Sequence, residues 1–339
     1  MVKVSIVILN WNGRDFLEKF LPSVMQNSQE DWSDIWIADN GSTDDSILFV
    51  EQNYPSIKLL KFDKNYGFTE GYNKALSVIK ATYYVLLNSD VELTKGWLTP
   101  IIDYMDSNTN VGAAMPKILS YNDKHKFEYA GAAGGYIDKY GYPFCRGRIL
   151  SETETDEGQY NDIVNIFWAT GACMFVRADV FHDIGRLDSD FFAHMEEIDL
   201  CWRMKNRGYD IVCIPNSTVY HVGGGTLPNN NPHKLYLNYR NSLFLLYKNL
   251  SNGEFRRKLF IRMILDGASA IMYVLQGKFS FFNVVLKAHI NFYLNINKFK
   301  KKRIENNSKR TVNNHKEILN KSIVYHFFIK GIKKYSNLK

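Results

Sequence analysis

The sequence is poor in cysteine and proline, with 4 and 8 among 339 residues. Cys145, Cys173, Cys201 and Cys213 form no Cys-x-x-Cys pair, and three of them sit inside apolar runs. A disulfide framework is therefore not expected, and buried reduced thiols in a cytosolic protein are. No stretch approaches ~20 uninterrupted apolar residues, so no spanning helix is expected. The N-terminal MVKVSIVILN lacks the long apolar core and small-residue cleavage site of a signal peptide. No GxGxxG follows the first apolar run, and GxxxxGK[ST] occurs nowhere. The first absence speaks against a dehydrogenase, and both speak against phosphate capture by a glycine-rich loop.

Positive charge is not short, but it is unevenly placed. Residues 240–339 hold 21 Lys and Arg against 4 Asp and Glu, while the first 239 hold 21 against 31. The tail is thus +17 and the body −10, giving +7 overall. Such asymmetry points to a tail that meets an anionic surface. With an acidic body, a membrane leaflet is expected and nucleic acid is not.

At 45% hydrophobic and 14% aromatic, the chain can bury a sizeable core. Four apolar runs of strand length begin near Val4, Ile35, Ile57 and Tyr83, with helical spacing between them. This alternation predicts parallel strands joined by right-handed crossovers. Pro22 falls inside the first helical run and should kink it. Residues 97–105 predict a helix, and residues 111–115 a strand ended by Pro116. Residues 119–162 show no clean period and read as a long functional loop or small hairpins over a cleft. Residues 166–181 give a strand with Gly171 at a close approach, then a short helix beginning at Arg177. Residues 211–215 give another strand. Beyond Asn231, an aromatic-rich helix is followed by apolar segments broken by Arg262, Asp266 and Lys278. Lys298, Lys300, Lys301, Lys302 and Arg303 then cluster. Basic amphipathic helices lying in a membrane interface fit this pattern, with a solvated basic tail as the plainer reading.

The chemistry concentrates at the polar ends of the apolar runs. TYYVLLNSDVEL (82–93) reads as a strand buried on both faces that closes on Asn88, Ser89 and Asp90. In an open α/β sheet, ligands bind at that end. A carboxylate there can hold a hard divalent cation that leaves positions open for phosphate, although Asn-Ser-Asp could also be a simple capping turn. Asn10, Asp39 and Asn65 end or follow the other strands and should open on the same edge. Further on, FFAHMEEIDLCWRMKNRGY (191–209) places Glu196, Asp199 and Arg203 on one helical face after an aromatic Phe-Phe strand. Dipole complementation and an Asp199–Arg203 pair would explain the same residues. His221 precedes three glycines, where lost bulk would let a phosphate or sugar approach.

Seven of these pieces, VSIVILNWNG, ADNGSTDDS, NYGFTEGYN, LLNSD, TGACMFVRADVF, FFAHMEEIDLCWR and YHVGGGT, occur in the order found in the family 2 glycosyltransferases. Residues 4–226 resemble that family, and its rhamnosyltransferase-like branch in cell-surface polysaccharide synthesis in particular. The resemblance implies a GT-A fold, a Rossmann-like mixed sheet with helices on both faces, over residues 1–231. A basic helical extension, residues 232–339, would follow and touch the membrane.

It also implies roles. Trp11 would lie against the nucleotide base. Asp39 would accept the pyrimidine N–H, favouring UDP or dTDP donors. Asn65, Gly67, Asn73 and Asn88 would line the donor pocket. Asp90 would hold Mg2+ or Mn2+, with His221 reaching the metal or the diphosphate. Glu197 would be the catalytic base. Two departures stand out. Asn-Ser-Asp offers the cation one carboxylate, so the metal should be held mainly together with the diphosphate. The base position carries Glu, so Glu196, Glu197 and Asp199 all stay candidates.

The expected activity is inverting transfer from a nucleotide-diphosphate sugar to a hydroxyl of a glycan or lipid-linked glycan. The enzyme would work in the cytoplasm, peripheral on the inner face of the membrane. A sugar nucleotidyltransferase is the alternative enzyme, although residues 10–13 lack its basic glycine-rich loop. A glycan-binding protein that has lost its chemistry is the non-enzyme alternative.

Overall fold

The computed structural model describes residues 2–223 and 231–338. The expected alternation is present at the start of the chain: β1 (Val4–Asn10), α1 (Arg14–Asn27), β2 (Ser33–Asp39), α2 (Ser46–Asn53), β3 (Lys58–Lys61), α3 (Gly67–Val78) and β4 (Tyr83–Leu87). The four strands are parallel, in the spatial order β4-β1-β2-β3. All five residues of β4 are buried, as a strand covered on both faces must be. Each such apolar side chain contributes about 1.5–3 kcal/mol.

The sheet grows on the other side of β4. After β5 (Val91–Leu93) and α4 (Thr99–Ser107) comes β6 (Val111–Ser120). This strand does not end at Pro116, as its sequence suggests, but runs through it. A break in register between Ile214 and Thr218 of the partner strand falls opposite Pro116. A bulge there tolerates the ladder bond that proline cannot donate.

Residues 119–162 form small hairpins: β7 (Gly135–Asp138), β8 (Pro143–Cys145), β9 (Arg148–Ile149) and β10 (Glu152–Thr153). They make a second sheet with its own core around Phe144 and Ile149. The main sheet resumes with β11 (Val164–Asn165) and β12 (Cys173–Arg177), which lies antiparallel between β4 and β6. The strand expected over residues 166–181 is confined to β12. Gly171 does sit close, since a Cβ there would lie 3.2 Å from Phe68. Then follow α5 (Ala178–Asp183), α6 (Glu196–Asn206) and β13 (Asp210–His221), which is parallel to β6.

The aromatic pair before α6 is not a strand. Phe191 ends a short 3-10 turn, and Phe192, His194 and Met195 have φ of 65°, 67° and 72°. The chain is reversed here by three non-glycine residues at positive φ, each costing about 1–3 kcal/mol.

The remaining helices are α7 (Pro232–Asn249), α8 (Phe255–Leu275), α9 (Phe279–Leu294) and α10 (Ile296–Ser308). The chain then returns to the hairpin sheet, where β14 (Ile318–Leu319) pairs with β7 and α11 (Ile323–Phe328) follows. No described helix is long and apolar enough to cross a membrane. The four cysteines are free and buried.

The basic cluster of α10 does not face outward as a block. Lys298 pairs with Asp190, Lys302 bridges Asp188 and Asp190, and Arg303 is buried against the carbonyl of Tyr247. Part of the tail's charge therefore neutralises the acidic body rather than an external surface.

Candidate active site

Because β1, β2, β4, β6 and β13 share one direction, Asn10, Asp39 and His221 end on one edge of the sheet, with Asp90 just beyond β4. The first two meet directly. Asn10 Nδ2 donates to Asp39 Oδ1 at 3.1 Å and to the Ser42 and Ser46 hydroxyls at 3.1 and 3.0 Å. Asp39 Oδ2 accepts from the Ser42 amide. Asn12 ties the neighbouring loop to this knot through Ser42 and Thr43. Between them Trp11 projects from the loop, 48% exposed.

Asn65 and Gly67 are organised by Asn40, whose Nδ2 reaches Asn65 Oδ1 and the Gly67 carbonyl, both at 3.0 Å. Gly67 has φ +76°, and a Cβ on it would strike the Phe192 ring at 2.6 Å. The amides of Phe68 and Thr69, which open α3, are taken by the Phe192 carbonyl. That helix start is thus closed to phosphate. The carboxamide of Asn73 is occupied at both ends by Leu187. It clamps that segment to α3 instead of facing a ligand. The backbone N–H of Asn88 donates to the Ala172 carbonyl at 3.0 Å, fixing the end of β4 against the chain just before β12.

Asp90 and His221, 131 residues apart, touch: Nε2 lies 3.1 Å from Oδ1. The other ring nitrogen lies 3.4 Å from Glu128 Oε2. All three are buried. Burial opposes a charge on the imidazole, but the hydrogen bond to Asp90 and the facing Glu128 carboxylate outweigh it and raise the pKa to about 10. The backbone locks the same junction, since the Val222 amide donates to the Asp90 carbonyl. Glu128 is itself oriented by the Ala130 amide. Gly223 is needed here, because a Cβ would lie 2.5 Å from Glu128 Oε1. The rest of the glycine run, Gly224 and Gly225, lies outside the described residues, as does Thr226.

Among the described residues, no three His, Cys, Asp or Glu side chains form a metal cage. A divalent cation would have to displace the proton shared by His221 and Asp90; with that proton gone, one carboxylate and one imidazole suit a hard ion that takes its other oxygens from a diphosphate and water. The residues present fit such an ion in that shared form.

The turn before α6 presents three carboxylates to different fates. Asp199 is fully buried, with Oδ2 bound to Arg203 and Lys248 at 2.8 Å each and Oδ1 to Asn249. Those contacts hold its pKa down against the effect of burial. It is a structural anion. Glu196 is buried with an unpartnered oxygen, and burial followed by repulsion from Glu197 raises its pKa strongly. Glu197 is half-buried and also has an unpartnered oxygen, and burial lifts its pKa to about 7.

Four residues that matter here were not legible as such. Glu128 lies in the patternless stretch and has no local motif. Asn40 is one polar residue in a turn full of them. Asn241 and Lys248 lie on α7, where helical spacing shows a buried side but not what it grips.

The mixed sheet, with helices on both faces and a helical region after it, is a GT-A fold. A mannosyltransferase from Pyrobaculum calidifontis, solved with GDP-Man and Mn2+, has the same fold at TM-score 0.54 and 10% identity, over 86% of this chain and 87% of that one. The Staphylococcus aureus TarS structure gives 0.52 at 13% identity, over 76% and 69%. Residues 5–185 match glycosyl transferase family 2, and the chain belongs to that family. It is a glycosyltransferase. It is 25% identical, over 236 aligned positions, to an N-acetylglucosaminyl-diphospho-decaprenol L-rhamnosyltransferase of Mycobacterium tuberculosis, covering 64% of this chain and 75% of that one. Against the rhamnosyltransferase WbbL of Escherichia coli it is 26% identical over 230 positions, covering 64% and 83%.

Proposed function

We propose that the chain moves rhamnose, a hexose or an N-acetylhexosamine from a UDP- or dTDP-sugar to a hydroxyl of a lipid-linked glycan, with inversion, at the cytoplasmic leaflet. The names of the rhamnosyltransferase relatives support the sugar and the lipid-linked acceptor. The observation that carries the chemistry is Glu197: a half-buried carboxylate with a free oxygen and a pKa near the working range.

Trp11 would cover the base, and Asp39, held rigid by Asn10 and Ser42, would accept the pyrimidine N–H. A divalent cation, Mg2+ or Mn2+, bound with the donor at Asp90 and His221 would supply positive charge to the departing diphosphate. Glu128 keeps the His221 ring oriented. Glu197 removes the acceptor proton as the hydroxyl oxygen bonds to the anomeric carbon, and the bond to the diphosphate breaks on the opposite face. Glu196 beside it holds its proton more tightly than an ordinary carboxyl, because burial and then Glu197 raise its pKa strongly. Donor chemistry belongs to residues 1–231, and residues 232–339 brace the acceptor side.

The test is release of nucleoside diphosphate from a panel of UDP- and dTDP-sugars with a lipid-linked acceptor, with and without EDTA. EDTA-sensitive release is the expected result. Silence across the panel, or release unaffected by EDTA, would overturn the proposal.

A further inference from the structure

Helix α8 buries an ion pair on its inner side and carries its bulky apolar residues outside, whereas α9 buries Val285, Ala288 and Phe292. The side of α8 that faces the protein buries Arg262 and Asp266, paired at 2.9 Å. Arg262 lies over the Tyr142 ring at 3.8 Å, and His289 of α9 approaches Asp266 at 3.4 Å. The side that faces away is apolar. Phe260, Ile264, Ile271 and Leu275 are 55–75% exposed and recur at helical spacing, so they form one stripe. From α9, Leu286, Ile290 and Leu294 are at least half exposed. A helix that buries its charges and exposes its aliphatic residues is one whose outer face has a cover.

The charges around the stripe name the cover. Arg256 and Arg257 stand one turn before Phe260, Lys278 follows Leu275, and Lys287 follows Leu286. On α10, Lys300 and Lys301 are exposed beside exposed Ile304. These six make no ion pair among the described residues, unlike their neighbours Lys258, Lys298 and Lys302. Within α8, α9 and α10 the one exposed carboxylate is Glu305, already paired with Lys309. Aliphatic surface ringed by unanswered cations complements a bilayer with anionic headgroups, and the helices are suited to lie in its interface, not to cross it.

We propose that this face docks on an anionic phospholipid bilayer, with the α8–α9 stripe entering the acyl boundary and the six cations meeting headgroup phosphates. The proposal rests on the reading of the acceptor as lipid-linked, and it moves the membrane contact from the α10 cluster to the outer face of the hairpin.

The full chain is tested by flotation with vesicles of phosphatidylcholine alone and of phosphatidylcholine with phosphatidylglycerol. Wild type should float with the anionic vesicles, and less so as salt is added. Ile264→Glu and Ile271→Glu, both on exposed positions, should each weaken partition about tenfold or more. Lys300→Glu with Lys301→Glu should weaken it on anionic vesicles only. Failure of wild type to float would overturn the proposal. So would a wild-type dimer in solution that Ile264→Glu converts to a monomer, because the face would then belong to a second copy. Flotation is read without donor or acceptor. Transfer in detergent by a chain that does not float would sink the docking proposal alone. Flotation by a chain that transfers nothing would sink the acceptor reading alone.

Discussion

Asn241 Nδ2 donates to the carbonyl of Phe191 at 2.9 Å, joining α7 to the turn that delivers the α6 carboxylates. Its two hydrogens are shared with the carbonyls of Ala193 and His194 at 2.8 and 2.7 Å. Arg240, its neighbour, reaches the Asp190 and Phe191 carbonyls. A turn with three residues at positive φ persists only where its surroundings over-determine it, and here the C-terminal helices do so. Asn241→Ala takes this donor from the Ala193 and His194 carbonyls, a loss of about 1–3 kcal/mol, while the Phe191 carbonyl keeps Arg240. The expected result is a lower melting temperature and a lower kcat for transfer, with donor KM little changed.

Glu197 sets two pH dependences. As a base it works unprotonated, so transfer should rise with pH through about 7. In Glu197→Gln that limb should vanish and the rate should fall ~10²–10⁴-fold. Stability moves the other way. A carboxyl whose pKa is raised from 4.5 to about 7 by folding favours the fold most when protonated. That contribution is full below pH 4.5 and is lost as pH rises through 7. Thermal melts should therefore show Glu197→Gln gaining on wild type above pH 7, with the difference closing in acid.

Glu128 touches no reacting atom in this scheme. It holds the ring of His221 by the nitrogen that Asp90 leaves over. Loss of such an outer partner typically costs 10–100-fold in metal affinity or activity. Glu128→Ala should need about that much more Mn2+ for half-maximal transfer. An unchanged Mn2+ titration would remove Glu128 from the site.

Lys248 is shared by Asp188 and Asp199, at 2.6 and 2.8 Å, and is as buried as they are. Lys248→Met would leave Asp188 to Lys302 and Asp199 to Arg203 and Asn249, and the lost charged hydrogen bonds should cost about 1.5–3 kcal/mol in denaturant melts. The same cluster sets an acid limit. Burial pushes the Asp188 carboxyl up, but Lys248 and Lys302 overcome it and hold its pKa below the ordinary 3.8. Its stabilising contribution is present above pH 3.8 and lost as pH falls below it. Asp188→Asn should be less stable at neutral pH and should lack that part of the acid loss.

The opening half of the chain was readable from sequence because its rules are local. A buried strand such as residues 83–87 announces itself as an unbroken apolar run, and period and spacing set the order of strand and helix. The carboxyl-end positions of Asn10, Asp39 and Asp90 follow from that order alone. Local rules failed where a distant partner decides. Pro116 stays in its strand because β13 bulges opposite it. Phe191 and Phe192 look like strand but form a turn that Asn241 holds from fifty residues away. Lys302 resembles its exposed neighbours Lys300 and Lys301 in sequence, yet it faces Asp188 and Asp190. Charge sign and residue type can be read from a string. Which charge meets another chain segment and which is left for solvent or lipid depends on how helices far apart in sequence pack. The sequence alone therefore established a family 2 sheet and the polar ends of its parallel strands, while the packing of α7 and α10 decided which acidic groups are structural anions.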